Sequence, residues 1–318
     1  MQDVKLIIVC GMSGVGKSTT AQNISYQYTM NNIKHEWYHE EMEDHPIRWA
    51  NGGEFTVGDL NTEAGMELNI ADTYMRWEAL IKEMQAKGGV YVMEGCLYTN
   101  INRYFFSDNY PDDSYPEHKI IEYYDKIMEI LKPANPHVVH LYRPDVAENY
   151  KRAFKVRGKR WENIITDGLA DCDFAVYTAY QALARKIFAD YQGKKLAVDT
   201  SNDSDWASYY KEICEFLEID FYDRQYLTVS NPEKYVGTFE YENGEEKESI
   251  TVIYKDNILY CSPEWFTHIK MNAIGEHEFE LSAFPMIFKY SFSSDSINLT
   301  VNGNYDWGIV GKTLKRTV

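Results

Sequence analysis

The 318-residue sequence lacks paired cysteines. Its five, Cys10, Cys96, Cys172, Cys214 and Cys261, lie far apart, form no C-x-x-C pair and are odd in number. That spacing argues against a disulfide framework or a cysteine zinc site and predicts buried thiols in a reducing compartment. Positive charge is also short. The chain holds 32 Lys and Arg against 49 Asp and Glu, a formal net charge of −17. A surface of that sign does not grip nucleic acid along its length. No basic stretch leads into a long apolar run at the N-terminus, so no signal peptide is expected. No apolar run approaches the length that spans a bilayer. A cytoplasmic chain with neither nucleic-acid nor membrane partners is the expectation. Internal repeats and low-complexity segments are absent too.

What is present begins at residue 6, with "LIIVCGMSGVGKSTT". Val4 to Cys10 is a β-branched and aliphatic run that fits a strand buried on both faces. Gly11 to Ser18 then spells G-M-S-G-V-G-K-S, matching G-x-x-x-x-G-K-[ST]. Ala21, Ile24 and Tyr28 follow at helical spacing. The motif therefore lies between a strand and a helix, the context its chemistry requires. Glycines let backbone N–H groups converge without obstruction by β-carbons, and the helix N-terminus adds its positive field. Such a nest suits a polyphosphate. Gly11, Ser13, Gly14, Val15, Gly16, Lys17, Ser18 and Thr19 are the expected nucleotide contacts. Lys17 would reach the β- and γ-phosphates, and the Ser18 hydroxyl would bind Mg²⁺. The segment resembles the Walker A motif of P-loop NTPases.

The next part of the chain alternates strands and helices. Strands are expected at Ile33 to His39, Gly89 to Met93, His137 to Tyr142 and Lys195 to Val198. Helices are expected over 63–87, 117–131, 145–156, 170–191 and 204–217. Five buried strands with crossover helices predict a three-layer α/β fold around a parallel sheet. Ligands in such sheets bind beyond the carboxyl ends of the strands. Gly11, Glu40, Glu94 and Arg143 all fall at such ends. The guanine-reading N-K-x-D motif is missing, which disfavours a GTPase, and so is a second glycine-rich signature of a transporter ATPase.

Asp145 can cap the helix that follows it. From Lys151 to Arg160, six residues in ten are basic and none is acidic. The cluster resembles the lid of nucleoside and nucleoside-monophosphate kinases, including the thymidylate kinases. That resemblance covers roughly residues 1 to 220. It implies that Arg152 and Arg157, followed by Lys159 and Arg160, close over the transferring phosphoryl group, where charge spreads over the equatorial oxygens. It further implies that "LAVDTSND" packs Asp199 and Thr200 against the adenine of ATP, although a plain turn and helix cap reads as well there.

The carboxylates extend the resemblance. In-line transfer to a hydroxyl benefits from a base that takes its proton. In "YHEEMEDHPIRW", residues 38 to 49, Glu40 or Glu41 matches the general base of the deoxynucleoside kinases, and Arg48 would hold the acceptor. Glu94 ends an apolar strand, where a carboxylate is costly to bury without a purpose. By the same resemblance it contacts the Mg²⁺ shell or the acceptor. The related kinases carry an arginine directly after this acid. Here Gly95-Cys96 follows, and Arg103 is the candidate replacement. Trp49 and other aromatics between residues 42 and 88 would stack on a flat acceptor or form helix core. His35 and His45 show no metal-ligand spacing.

Past residue 222 the pattern changes to short alternating strands, with turns at Asn243-Gly244 and Asp256-Asn257. Further strands are expected at 277–282, 286–292, 296–301 and 305–311. The expectation is a kinase-like domain over 1–221 and a small antiparallel all-β domain over 222–318, an open barrel or curled sheet. The β segment is distantly similar to small β domains appended to serine β-lactamase-like proteins. Ligand binding, dimerisation and packing beside the kinase site are all open to it. The sequence thus points to an ATP- and Mg²⁺-dependent kinase of a small acceptor, a nucleoside or nucleotide by resemblance. The alternatives are a nucleotide-binding switch whose β domain meets a partner, and a kinase that modifies an antibiotic or other small metabolite.

Overall fold

The computed structural model describes residues 3–43, 45–47, 62–98, 117–156, 174–243, 246–263, 266 and 268–317. These fall into two compact units, one of residues 3–149 and 174–222, the other of residues 150–156 and 223–317.

The first unit is a five-stranded parallel sheet flanked by helices. Its strands are β1 (Val4–Cys10), β2 (His35–Tyr38), β3 (Gly89–Glu94), β4 (Pro136–Tyr142) and β5 (Lys194–Asp199). Its helices are α1 (Lys17–Met30), α2 (Glu63–Lys87), α3 (Glu117–Leu131), the start of α4 (Val146–Val156), α5 (Ala175–Asp190) and α6 (Trp206–Leu217). Most of these bounds lie within two residues of those read from the sequence. The boundary signals explain why. Thr62 caps α2 by accepting the Gly65 N–H at 3.1 Å, and Gly88 ends it with φ 69°. Asp145 caps α4 through the Glu148 N–H at 2.9 Å.

The strands run in the order β2-β3-β1-β4-β5, which puts β1 at the centre. Leu6 to Cys10 are wholly buried, as a doubly covered strand demands. From β1 the chain crosses to β2 at one edge and returns to β3, and the next crossover carries it past β1 to β4, so the order reverses beside β1 and the crevice opens at its carboxyl end. Register then fixes which residues meet there. Val9 pairs with Glu94, Tyr38 with Met93 and Tyr142 with Asp199.

The second unit contains a closed eight-stranded antiparallel barrel. Each strand from β6 (Gly237–Asn243) through β10 (Glu278–Leu281), β11 (Met286–Phe292) and β12 (Ile297–Gly303) pairs with the next, and β13 (Thr313–Thr317) returns to β6. This replaces the expected open barrel or curled sheet. Closure depends on the seam between residues far apart in sequence, Arg316 opposite Phe239. Gly237, at φ 145°, admits the Arg316 side chain where a β-carbon would stand 2.5 Å from its Nε.

Asp256 and Asn257 both have positive φ, 51° and 62°, the conformation a tight two-residue hairpin between β7 (Glu246–Lys255) and β8 (Ile258–Ser262) requires. Gly244 lies outside the described residues. Residues 305–311 form successive turns, not the expected strand. Tyr305, Trp307 and Ile309 are buried at every second position and so imitate a strand, but their backbone groups bond locally, as in Val310 N–H to Trp307 O at 2.8 Å. Two strands, β9 (Ile269–Ala273) and β13, are additional to those expected. The barrel interior is packed with side chains, among them Phe239, Phe279, Phe288 and Tyr290, as suits eight strands.

Among the described residues no helix is long and apolar enough to cross a membrane. Cys10, Cys96, Cys214 and Cys261 are buried free thiols, and Cys172 lies outside the described residues.

Candidate functional site

The loop from Gly11 to Gly16 rises from the end of β1 and enters α1. Gly11, Gly14 and Gly16 hold φ of 142°, 83° and 95°, conformations that other residues resist. A β-carbon at Gly11 would strike the Leu141 carbonyl oxygen, and one at Gly16 would strike the Trp206 indole. No side chain caps α1 at Gly16.

Three struts hold this loop. Asn149 on α4 donates to Ser13 O at 2.8 Å. The Thr200 hydroxyl donates to Val15 O at 2.9 Å, while its N–H bonds Tyr142 O at 3.0 Å. Lys17, buried along its length, donates from Nζ to Met12 O at 3.1 Å. Thr200 thus braces the loop. Asp199 shapes the turn beside it, its Oδ1 accepting the Ser201 N–H at 2.9 Å. Arg143, at the end of β4, pairs with Asp203 in the same turn. Beneath the loop, Cys10 Sγ lies 3.6 Å from His140 Nδ1. Burial, then the nearby Arg185, hold the His140 ring neutral, its pKa down at about 4.

Across β1, the end of β3 delivers Glu94 to the loop. Its side chain is completely buried. Burial first, then the charge of Glu40, push its carboxyl well above the ordinary carboxylate range, while Lys17 and the Ser18 hydroxyl pull it back. Neither Glu94 oxygen closes a hydrogen bond of regular geometry among the described residues. His39 Nε2 lies 3.1 Å from Glu94 Oε1. Glu40 follows, its carboxylate lying over the α-carbon of Gly95, which has φ 66°.

The expected residues Lys17, Ser18, Glu40 and Glu94 therefore meet at the carboxyl end of the sheet. Ser13, Val15 and Thr200 are joined to the same loop through backbone carbonyls. Thr19 sits in the first turn of α1. Of the two candidate bases, Glu40 stands beside Glu94. Glu41 is fixed through its N–H, which donates to His39 Nδ1 at 2.9 Å. Arg152 follows Asn149 by one turn on α4. Arg48, Trp49, Arg103, Arg157, Lys159 and Arg160 lie outside the described residues.

Three residues here carried no expectation. His39 is found only once Tyr38 is known to pair with Met93. Asn149 lies one turn beyond the Asp145 cap. Trp206 opens the helix after β5, covers Gly16 and meets the Tyr209 and Tyr210 rings at 5.6 and 5.8 Å.

No family model matches the chain, and no curated protein does. Among solved structures it is similar to a sugar kinase from Janibacter sp. HTCC2649, 14% identical, covering 68% of this chain and 95% of that one at a TM-score of 0.39. It is similar too to the YorR protein of Bacillus subtilis, solved in complex with phosphorylated GDP, 16% identical over 67% of this chain and 96% of that one at a TM-score of 0.38. At those scores the likeness carries no functional inference, which is left to the side chains.

Proposed function

We propose that the chain is an ATP- and Mg²⁺-dependent phosphotransferase. It moves the γ-phosphoryl group of ATP to a small acceptor, a nucleoside or nucleotide being the class its motifs resemble. The observation that carries this reading is the buried, incompletely bonded carboxylate of Glu94 beside Ser18 and Lys17, with a second carboxylate, Glu40, next to it. A buried carboxylate of this kind is costly in a protein that does not use it.

The donor set fits Mg²⁺, which takes one or two protein oxygens and completes its shell with water and phosphate. Ser18 and Glu94 would hold it, and it would neutralise charge on the β- and γ-phosphates. The rest falls to the chain's own groups. The loop N–H groups from Gly11 to Thr19 bind the phosphates. Lys17 exchanges the Met12 carbonyl for phosphate oxygens. Glu40 takes the proton of the attacking hydroxyl, and Arg152 and Arg157 stabilise the charge that develops on the transferring group.

Release of ADP from Mg·ATP tests the reading against a panel of nucleosides, nucleoside monophosphates and small hydroxyl compounds, with the wild type and Glu94→Gln. Stimulation by one acceptor, lost in the variant, is expected. Slow ATP hydrolysis that no acceptor alters would favour a nucleotide switch.

A further inference from the structure

The segment after β5 is joined to the Gly11–Gly16 loop at both of its ends. Thr200 donates to Val15 O, and Trp206 lies across Gly16. Between these points the chain is knotted on itself. The Ser204 N–H bonds Asn202 Oδ1 at 3.2 Å, the Asp205 N–H bonds Asn202 O at 3.1 Å, and the Tyr209 hydroxyl donates to Asn202 O at 3.1 Å. The turn is therefore stiff and fastened to α6. Asp203, in its middle, reaches back to the end of β4 and accepts from Arg143 Nη2.

Arg143 is held firmly at its own end. Its carbonyl accepts Gln181 Nε2 at 2.9 Å, and the carbonyl before it, of Tyr142, accepts the Thr200 N–H at 3.0 Å. Its side chain is nine-tenths buried, whereas that of Asp203 is half exposed. Among the described residues the guanidinium bonds Asp203, and its buried Nε has no partner. A charge buried on those terms is costly, and a buried ion pair seldom adds stability over apolar residues of similar volume. Packing alone does not call for a cation here. What the cation does is hold one carboxylate, and with it a whole turn, in place.

We infer that Arg143 is a positioning residue, which through Asp203 sets the turn after β5 as a wall for the nucleoside part of the donor nucleotide. The inference rests on the proposed binding of the triphosphate to the loop. With the phosphates there, the ribose and base leave beside the segment that touches Val15 and Gly16. Trp206, partly exposed and meeting the Tyr209 and Tyr210 rings, gives that segment a flat apolar surface. A wall ordered in advance spares the nucleotide the cost of ordering it on binding.

Calorimetric titration with Mg·ATP and with Mg·tripolyphosphate, which has no nucleoside, separates the wall from the loop. Arg143→Met keeps the aliphatic stem, and Asp203→Ala removes the acceptor. Each is expected to weaken Mg·ATP binding by about tenfold and Mg·tripolyphosphate binding by less than about twofold. Because the two residues act as one clasp, the double variant should bind Mg·ATP no more weakly than the worse single variant. Equal losses for the two ligands would overturn the inference. So would additive losses in the double variant, or unchanged Mg·ATP affinity in either single one.

Should Arg143→Met fail to fold, Asp203→Asn decides the matter at the half-exposed partner. Its amide oxygen can still accept from Nη2, so it should bind Mg·ATP more tightly than Asp203→Ala, and equal affinity in the two would refute the clasp. Wild-type protein that binds Mg·tripolyphosphate as tightly as Mg·ATP would remove the wall and leave the loop assignment standing. Wild-type protein that binds neither would remove the nucleotide reading and the inference with it.

Discussion

The carboxylate of Glu40 lies directly over the α-carbon of Gly95. A β-carbon at residue 95 would collide with its Oε2 and stand 2.8 Å from the Glu40 β-carbon. The nucleoside and thymidylate kinases that the sequence resembles place an arginine at this point. Here the position is closed twice, by Glu40 and by a φ of 66° that side chains resist. Gly95→Ala should therefore displace Glu40 and strain the backbone. Urea unfolding should show a loss of about 1–2 kcal/mol, and kcat should fall further than affinity for Mg·ATP. Unchanged turnover would separate Glu40 from the chemistry.

Thr200 links the turn after β5 to the carbonyl of Val15, two residues before Lys17. Thr200→Val keeps the shape and removes the donor. A stability loss of about 1 kcal/mol is expected, with KM for ATP rising more than kcat falls, because the loop loses a brace. If KM for ATP is unmoved, the strut has no part in nucleotide binding.

His140 gives the stability of the first unit a pH dependence of known sign. Its folded pKa of about 4 lies below the ordinary 6.5. A group so depressed contributes stability that is complete above the unfolded value and is lost as pH falls through the folded one. The span corresponds to about 3 kcal/mol. The ring already stacks on Phe188 at 5.1 Å, so phenylalanine is a tolerable replacement. Unfolding midpoints of His140→Phe should fall less than those of the wild type as pH drops from about 7 to about 4.5. Parallel curves would mean that other groups carry the acid sensitivity.

Much of this site was legible in the sequence because its parts are local. The glycines at 11, 14 and 16 announce positive φ, and Lys17 and Ser18 follow at fixed spacing. Glu94 betrays itself as an acid closing an apolar strand. Thr62 and Gly88 delimit α2 by their own chemistry. What stayed hidden depends on pairing between distant segments. His39 gains its place beside Glu94 from the register of β2 on β3, and Trp206 its place over Gly16 from the packing of α6 on the loop. The barrel closes through β13 and β6, more than seventy residues apart in sequence, and alternation within a strand says nothing of that seam. The same alternation misled at Tyr305, Trp307 and Ile309, where side chains enter the core from a turn.

The most direct test of the account follows the γ-phosphate itself. With γ-labelled ATP, Mg²⁺ and the acceptor that stimulates ADP release, the label should appear covalently on the acceptor with wild-type protein. It should not do so with Lys17→Ala, which loses the charge proposed to meet the β- and γ-phosphates. Label found only as free phosphate, or transferred equally by Lys17→Ala, would contradict the assignment of a phosphotransferase to this site.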